Sequence, residues 1–282
     1  MLRIAVPNKG SLSDAVTSML TEAGYRQRRD SRELAITDPE NEIEFFYLRP
    51  RDIAVYVGRG VLDLGITGRD LFLDADVNGD AEELMPLGIG KSTFRFAGPA
   101  GTFTDTEQLR GKRIATSYRV LVDHFLKEQG IDASTVRLDG AIETSIRLGV
   151  ADAIADVVET GSTMRAAGLE PFGAPLMESE AVLIGRTGHH PAGLDVLQRR
   201  LTGVLVARRY VLLDYDIRKD LVEQASALTP GLESPTVSPL KDSEWVAVRS
   251  MVRKETTNQV MDSLYDLGAR AILVTAINAC RI

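Results

Sequence analysis

The sequence predicts an α/β protein with two α/β lobes followed by a smaller ferredoxin-like domain. Three observations predict it. Short β-branched runs alternate with amphipathic stretches from the start of the chain, the pattern of a sheet with helices on its faces. The alternation restarts near Thr93, and an apolar run from Ala181 to Ile184 is placed to rejoin the first block, so the chain crosses between lobes more than once. The last stretch changes to a β-α-β-β-α-β order, that of the split ferredoxin-like unit. The expected division is 1–92 plus 182–208 for the first lobe, 93–181 for the second, and 209–282 for the third domain; a chain of 282 residues is long enough for all three.

In the first lobe, Leu2 to Val6 reads as a strand and Ser11 to Ala23 as a helix ended by Gly24. Ile43 to Leu48 is a strand, and Pro50 opens a short helix to Gly58 with its ring in the first turn. Leu62 to Thr67 is an apolar strand between Gly60 and Gly68. In the second lobe the strands are Thr93 to Ala97, Arg113 to Thr116, Val136 to Leu138 and Ala153 to Val158. Helices are expected from Val120 to Gln129, from Glu143 to Leu148, and briefly up to Gly168. The third domain has strands at 209–215, 236–239, 245–252 and 271–275, with helices at 218–227 and 257–267.

Composition narrows the function. Hydrophobic residues at 44% and charged residues at 26% fit a globular chain and argue against disorder. A formal net charge of −7 argues against nucleic-acid binding, which needs a basic face. It leaves room for a phosphorylated metabolite held by a few local donors. Cys280 is the sole cysteine, so neither an intrachain disulfide nor a thiolate zinc site is available. His189-His190 lies in a Gly-Pro turn and reads as solvated rather than metal-binding. The first apolar run is too short for a signal peptide, and no run reaches the ~18 residues of a membrane span. A cytoplasmic chain with no membrane partner is expected.

Asp156-Val157-Val158-Glu159-Thr160-Gly161-Ser162-Thr163 carries the strongest chemical signal. An apolar strand delivers an acid to its end. Gly161 then lets the backbone approach a ligand, while Thr160, Ser162 and Thr163 add hydroxyls at the start of a helix, where free N–H groups favour an anion. The same residues also describe a capped helix with Thr160 or Ser162 as the cap, and the loop alone gives the two readings equal weight. Gly90-Lys91-Ser92 imitates the end of a nucleotide-binding P-loop. Met85 stands where the first glycine is required and Pro86 interrupts the loop, so that reading fails, although Lys91 and Ser92 lie at the expected crossing between lobes.

Glu143, Gly149, Ala151, Ile154, Asp156, Val157, Thr160-Gly161, Thr163 and Met164 together match, without a gap, the signature spacing of the ATP phosphoribosyltransferases. The chain also resembles that family at Arg3 to Gly10, Leu64 to Leu71, Leu138 to Ala141 and Ser179 to Ile184. Pro230 to Thr236 is similar to the regulatory domain of the long, histidine-regulated form, with actinobacterial members the most alike. The resemblance implies a two-lobed, periplasmic-binding-protein-like catalytic core with a C-terminal ferredoxin-like (ACT-like) regulatory domain. It implies the condensation of ATP with 5-phosphoribosyl 1-diphosphate to N1-(5-phosphoribosyl)-ATP and pyrophosphate, the first step of histidine biosynthesis.

By the same resemblance, Asp156 and Val157 contact the ribose, and Thr160, Gly161, Ser162 and Thr163 hold its 5-phosphate. Asp70 and Leu71 lie near the nucleotide, and Arg49 meets a phosphate. Lys9, Arg51 and Arg95 are either diphosphate or triphosphate contacts or solvated or salt-bridged surface residues, with equal weight on each. Glu143 either orients, or accepts a proton from, the adenine amidine, which would make it catalytic together with Asp156, or it caps a helix. Mg²⁺ is the implied cofactor, with no protein ligand identified. Histidine, as a feedback inhibitor, would meet Asp216, Leu232, Ser234, Thr236 and Ala271, and the family's assemblies are a homodimer and a homohexamer.

Three rivals fit less well. A type I phosphoribosyltransferase carries two adjacent acids before its loop, whereas Val157 follows Asp156 here. A non-catalytic solute-binding protein shares the two-lobed cleft but has no use for the phosphate loop. The short catalytic form of the same family lacks the C-terminal β-α-β-β-α-β segment.

Overall fold

The computed structural model describes residues 1–158 and 161–281. The first lobe opens with β1 (Leu2–Pro7), α1 (Ser11–Glu22), β2 (Ala35–Asp38), β3 (Ile43–Leu48), α2 (Pro50–Gly58), β4 (Leu64–Gly68), α3 (Arg69–Asp74) and β5 (Ala81–Pro86). The second lobe contributes β6 (Ser92–Pro99), β7 (Arg113–Thr116), α4 (Arg119–Glu128), β8 (Ser134–Arg137), α5 (Thr144–Arg147), β9 (Ala153–Val158), α6 (Ser162–Ala166) and β10 (Leu169–Ser179). The chain then returns through β11 (Ala181–Arg186).

Two sheets result, ordered β2-β3-β1-β4-β11-β5 and β10-β6-β9-β7-β8. The β1–β3 and β1–β4 pairs are parallel, as are β7–β8 and β7–β9. β1 and β4 are buried almost throughout, as central strands covered on both faces should be. α2 packs so closely on β4 that a side chain at Gly65 would collide with Ile53. β11 lies antiparallel between β4 and β5, so the expected return to the first block is found.

The last elements are α7 (Leu194–Arg209), β12 (Tyr210–Arg218), α8 (Val222–Leu228), β13 (Thr236–Pro239), β14 (Trp245–Arg253), α9 (Thr257–Leu267) and β15 (Arg270–Ala276). Their sheet is antiparallel in the order β13-β14-β12-β15. Along β12, buried Val211, Leu213, Tyr215 and Ile217 alternate with half-exposed residues and pack with Ala225 and Leu264 of the two helices. That period of two is what a sheet with one covered face requires. The order of elements is the ferredoxin-like split unit.

Two compact units emerge: Met1–Thr21 with Tyr25–Leu194, and Glu22–Gly24 with the chain from Asp195 onward. Residues 195–208, assigned from the sequence to the first lobe, therefore group with the C-terminal unit, because α7 runs without a break into β12. β10 is not among the strands expected from the sequence. Pro171, Gly173 and Pro175 interrupt its pattern, and the pairing with β6 slips between Phe172 and Met177. Proline is tolerated here because β10 is an edge strand.

Candidate active site

Open α/β sheets place ligands at the carboxyl ends of their parallel strands. Here β1 ends before Lys9, β3 before Arg49 and Arg51, β4 before Asp70, β7 before Tyr118, and β9 carries Asp156 near its end. Topology alone thus sends the chemical residues of each lobe to one edge of its sheet.

Glu143, Asp156, Val157, Gly161, Ser162 and Thr163 line a single cavity of about 340 Å³. Thr160, expected with them, lies outside the described residues. Gly161 is the residue before α6 and has φ 68°, a left-handed conformation that a side chain would strain. Gly161 itself stands at the cap position of α6 and Ser162 is the first residue inside the helix, so Ser162 does not hold the cap position that the alternative reading allowed it. The other cap candidate, Thr160, lies outside the described residues. Glu143 occupies the position before α5, and its carboxylate makes no cap hydrogen bond. It lines the cavity instead, near enough to Asp156 for their charges to interact.

Asp70 is buried, at 6% exposure. Its Oδ1 accepts a 2.7 Å hydrogen bond from the Ser179 hydroxyl, and its own backbone N–H donates to that hydroxyl at 3.1 Å. The Tyr118 phenol donates to the same carboxylate. Burial, together with the neighbouring Asp70 and Asp156 carboxylates, holds the Tyr118 phenol protonated far above its usual range. Asp156 is satisfied differently: its Oδ1 accepts from the Val157 N–H at 2.8 Å. Burial pushes its carboxyl up to about 6, with Glu143 and Asp70 adding repulsion against the opposing pull of the Val157 N–H and of Arg51.

The remaining candidates divide. Arg95 stands opposite Asp156 in the β6–β9 pairing and donates to Thr93 Oγ1 at 3.3 Å. Arg51 Nη1 is bound to Asp74 at 2.6 Å, with its guanidinium 4.9 Å from the Tyr118 ring centroid. Lys9 and Arg49 are exposed, and Leu71 is half-buried on α3. Lys91 and Ser92 line a second cavity, of about 370 Å³, with Arg69, Thr93, Glu178 and Ser179; Val158 borders both cavities. Sequence reasoning missed Tyr118, Ser179 and Asp74. Tyr118 follows the buried end of β7 and was within reach of the strand-end rule. The other two gain their roles only from residues distant in the chain.

In the C-terminal unit, Asp216 on β12 pairs with Ala247 of β14 and with Arg270 of β15. Ala271, next to Arg270, has φ 49° where the β12–β15 register slips, a bulge geometry that re-aims the strand. Leu232, Ser234 and Thr236 are exposed, before and at the start of β13.

A family model described as ATP phosphoribosyltransferase matches residues 49–203, and one described as the C-terminal domain of the same family matches 207–279. The chain is 71% identical to the ATP phosphoribosyltransferase of Arthrobacter sp. strain FB24 and 67% identical to that of Micrococcus luteus, covering 100% of both chains in each comparison. Among solved structures it is similar to the ATP phosphoribosyl transferase (HisG:HisZ) complex of Thermotoga maritima, with a TM-score of 0.60 and 25% identity over 72% of this chain and 99% of that one. The glutamate-bound GluR0 ligand-binding core of Nostoc punctiforme shares the two-lobed fold, with a TM-score of 0.50 and 17% identity over 72% of this chain and 92% of that one. Two lobes of binding-protein form, a regulatory C-terminal domain and full-length identity thus converge: the chain belongs to the ATP phosphoribosyltransferase family, whose reaction opens histidine biosynthesis.

Proposed function

We propose that the cavity between Glu143 and Thr163 holds the phosphoribosyl half of 5-phosphoribosyl 1-diphosphate while ATP enters against the first lobe. The observation that carries this reading is the joint lining of one cavity by two acids, Glu143 and Asp156, and by the start of α6 with its left-handed Gly161. Ribose hydroxyls would donate to Asp156, and the 5-phosphate would accept from the backbone and hydroxyls of Gly161, Ser162 and Thr163, with Thr160 and Val157 alongside. Asp70, Leu71 and Arg49 would border the nucleotide. Lys9, Arg95 and Lys91 are the cations on hand for the diphosphate and triphosphate.

Adenine N1 is the nucleophile, so the chain need not supply one. N1 forms a bond to the anomeric carbon as the bond to pyrophosphate breaks, and positive charge builds on the sugar. The protein's work is then alignment of the two substrates and an electrostatic setting for that charge. Asp156, in its ionised form, and Glu143 line the same cavity and would face the ribose there, which suits both tasks. Glu143 is also positioned to accept a hydrogen bond from the adenine amidine.

Among the described residues no three His, Cys, Asp or Glu side chains are gathered as a metal cage. The described donor set therefore does not fit a resident ion. Mg²⁺ is read as part of the substrate, carried on its diphosphate oxygens. Among the described residues no helix is long and apolar enough to cross a membrane. Both substrates are intracellular metabolites, and on that ground we read the enzyme as cytoplasmic. Histidine would bind the C-terminal unit at Asp216, Leu232, Ser234, Thr236 and Ala271 and shift the chain from an active homodimer to a homohexamer. The exposure of the last four residues suits a site completed by a neighbouring copy.

The assay is direct. ATP, 5-phosphoribosyl 1-diphosphate and Mg²⁺ together are expected to give the N1 adduct, followed by its ultraviolet absorbance, and histidine is expected to suppress it. No adduct with both substrates present would overturn the catalytic reading. Adduct formation indifferent to histidine would remove only the regulatory one.

A further inference from the structure

We propose that Asp74 is a positioning residue for phosphoribosyl transfer, acting as a clasp that ties the start of α4 in the second lobe to Arg51 in the first. Asp74 is the last residue of α3, and its side chain is 7% exposed. Oδ1 accepts hydrogen bonds from the backbone N–H groups of Val120 at 3.0 Å and Leu121 at 3.2 Å. Oδ2 takes the 2.6 Å ion pair with Arg51.

The arrangement is unusual in where the cap comes from. A helix N-terminus is normally capped by the residue that begins it. Tyr118 holds that position in α4, and its side chain makes no cap bond. The N–H groups of the first turn are satisfied across the lobes instead, by a carboxylate that the positive end of the helix dipole also attracts. The helix start is therefore complete only while α3 and α4 lie together.

The second oxygen extends the clasp to the reaction site. Arg51, held by Asp74, lies over the Tyr118 ring. Tyr118 donates to Asp70, which is fixed in turn by Ser179. The connected groups thus run from α2 and α3 to α4 and the end of β10, and three of them, Arg51, Asp70 and Tyr118, lie near enough to Asp156 for their charges to interact. An exposed pair of this kind would contribute little. A buried carboxylate with three donors is different, since losing one partner leaves the others unpaired in a dry setting.

This inference rests on the reading of the cleft as the transfer site. There, adenine must approach from one lobe in line with a ribose held by the other, and a 1 Å misplacement costs on the order of a hundredfold in rate. Asp74 would keep Arg51, Asp70 and Tyr118 in register with Asp156.

The test compares Asp74→Asn, Arg51→Met and the double variant. Asparagine keeps an oxygen for the α4 N–H groups but loses the ion pair, so the fold is retained. Each single variant is expected to lower kcat about tenfold with KM for both substrates changed less than about threefold, and the double variant to lose little more than either single one. Circular dichroism and thermal unfolding establish the folded fraction, and kcat is expressed per folded enzyme. Wild-type kcat in Asp74→Asn, or losses that multiply in the double variant, would overturn the proposal. Failure of the wild type to form the adduct would instead overturn the reading beneath it.

Discussion

Asp70 and Asp156 occupy equivalent places in the two lobes, each at the carboxyl end of a strand facing the cleft, yet their surroundings differ. Asp70 is enclosed by Ser179 and Tyr118, side chains from distant parts of the chain. Asp156 accepts from its neighbour's backbone N–H and feels two carboxylates, Glu143 and Asp70, against the single opposing charge of Arg51. A buried acid with several donors is a fixed part of the scaffold. One with few donors and a raised carboxyl retains capacity for a ligand's hydroxyl groups. The difference teaches that placement at a strand end makes a residue available, while its hydrogen-bond complement decides its work.

The comparison breaks most easily at Asp156. Asp156→Ala should lower kcat/KM about a hundredfold or more while leaving the circular dichroism spectrum unchanged, because the lost group acts on the substrate. Asp70→Ala should act first through the scaffold, with its loss of turnover following from that. It strands the Ser179 and Tyr118 hydroxyls and should cost about 1–3 kcal/mol in urea unfolding. A variant of Asp70 with wild-type stability would remove its scaffold role.

pH sharpens the same contrast. The Asp156 carboxyl, raised to about 6, binds its proton more tightly in the folded chain than in the unfolded one. Stability of the unliganded protein should therefore be highest below about pH 4 as far as this group is concerned, and fall as pH rises towards 6. Each tenfold gain in proton affinity is worth about 1.4 kcal/mol, so the fall is at most about 3 kcal/mol, and Asp156→Asn should flatten it. Turnover should rise over that window, since the ionised acid is the better acceptor for ribose hydroxyls. Thermal unfolding of both proteins at a series of pH values across that window checks the sign.

Smaller effects are expected at the loop and in the regulatory unit. Gly161→Ala places a methyl group at φ 68° and should cost about 1 kcal/mol of stability with a severalfold rise in KM for 5-phosphoribosyl 1-diphosphate. Asp216→Ala should leave uninhibited kcat within about twofold and weaken histidine inhibition about tenfold or more. Rates at fixed substrate with histidine varied decide that point.

The sequence made much of this legible because much of it is local. Apolar periodicity and turn chemistry placed Ala153–Val158, Pro50–Gly58 and Thr257–Leu267, and the loop signature placed Asp156 and Gly161 in one short segment. What stayed hidden depends on pairing across long separations. β10 hid behind two prolines that only an edge position excuses. Ser179 lies 109 residues from Asp70, and Asp74 lies 46 from Val120. A salt bridge was one of the readings open for Arg51, but nothing in Pro50-Arg51-Asp52 names Asp74 of another helix as its partner.

The central claim divides one substrate between two groups: the loop from Gly161 to Thr163 holds phosphate, and Asp156 holds ribose. Calorimetric titration of wild type and Asp156→Ala with ribose 5-phosphate and with inorganic phosphate tests that division most directly. The account predicts that the variant binds ribose 5-phosphate about tenfold or more weakly, while phosphate affinity stays within about twofold. Equal losses for both ligands, or none for either, would contradict it.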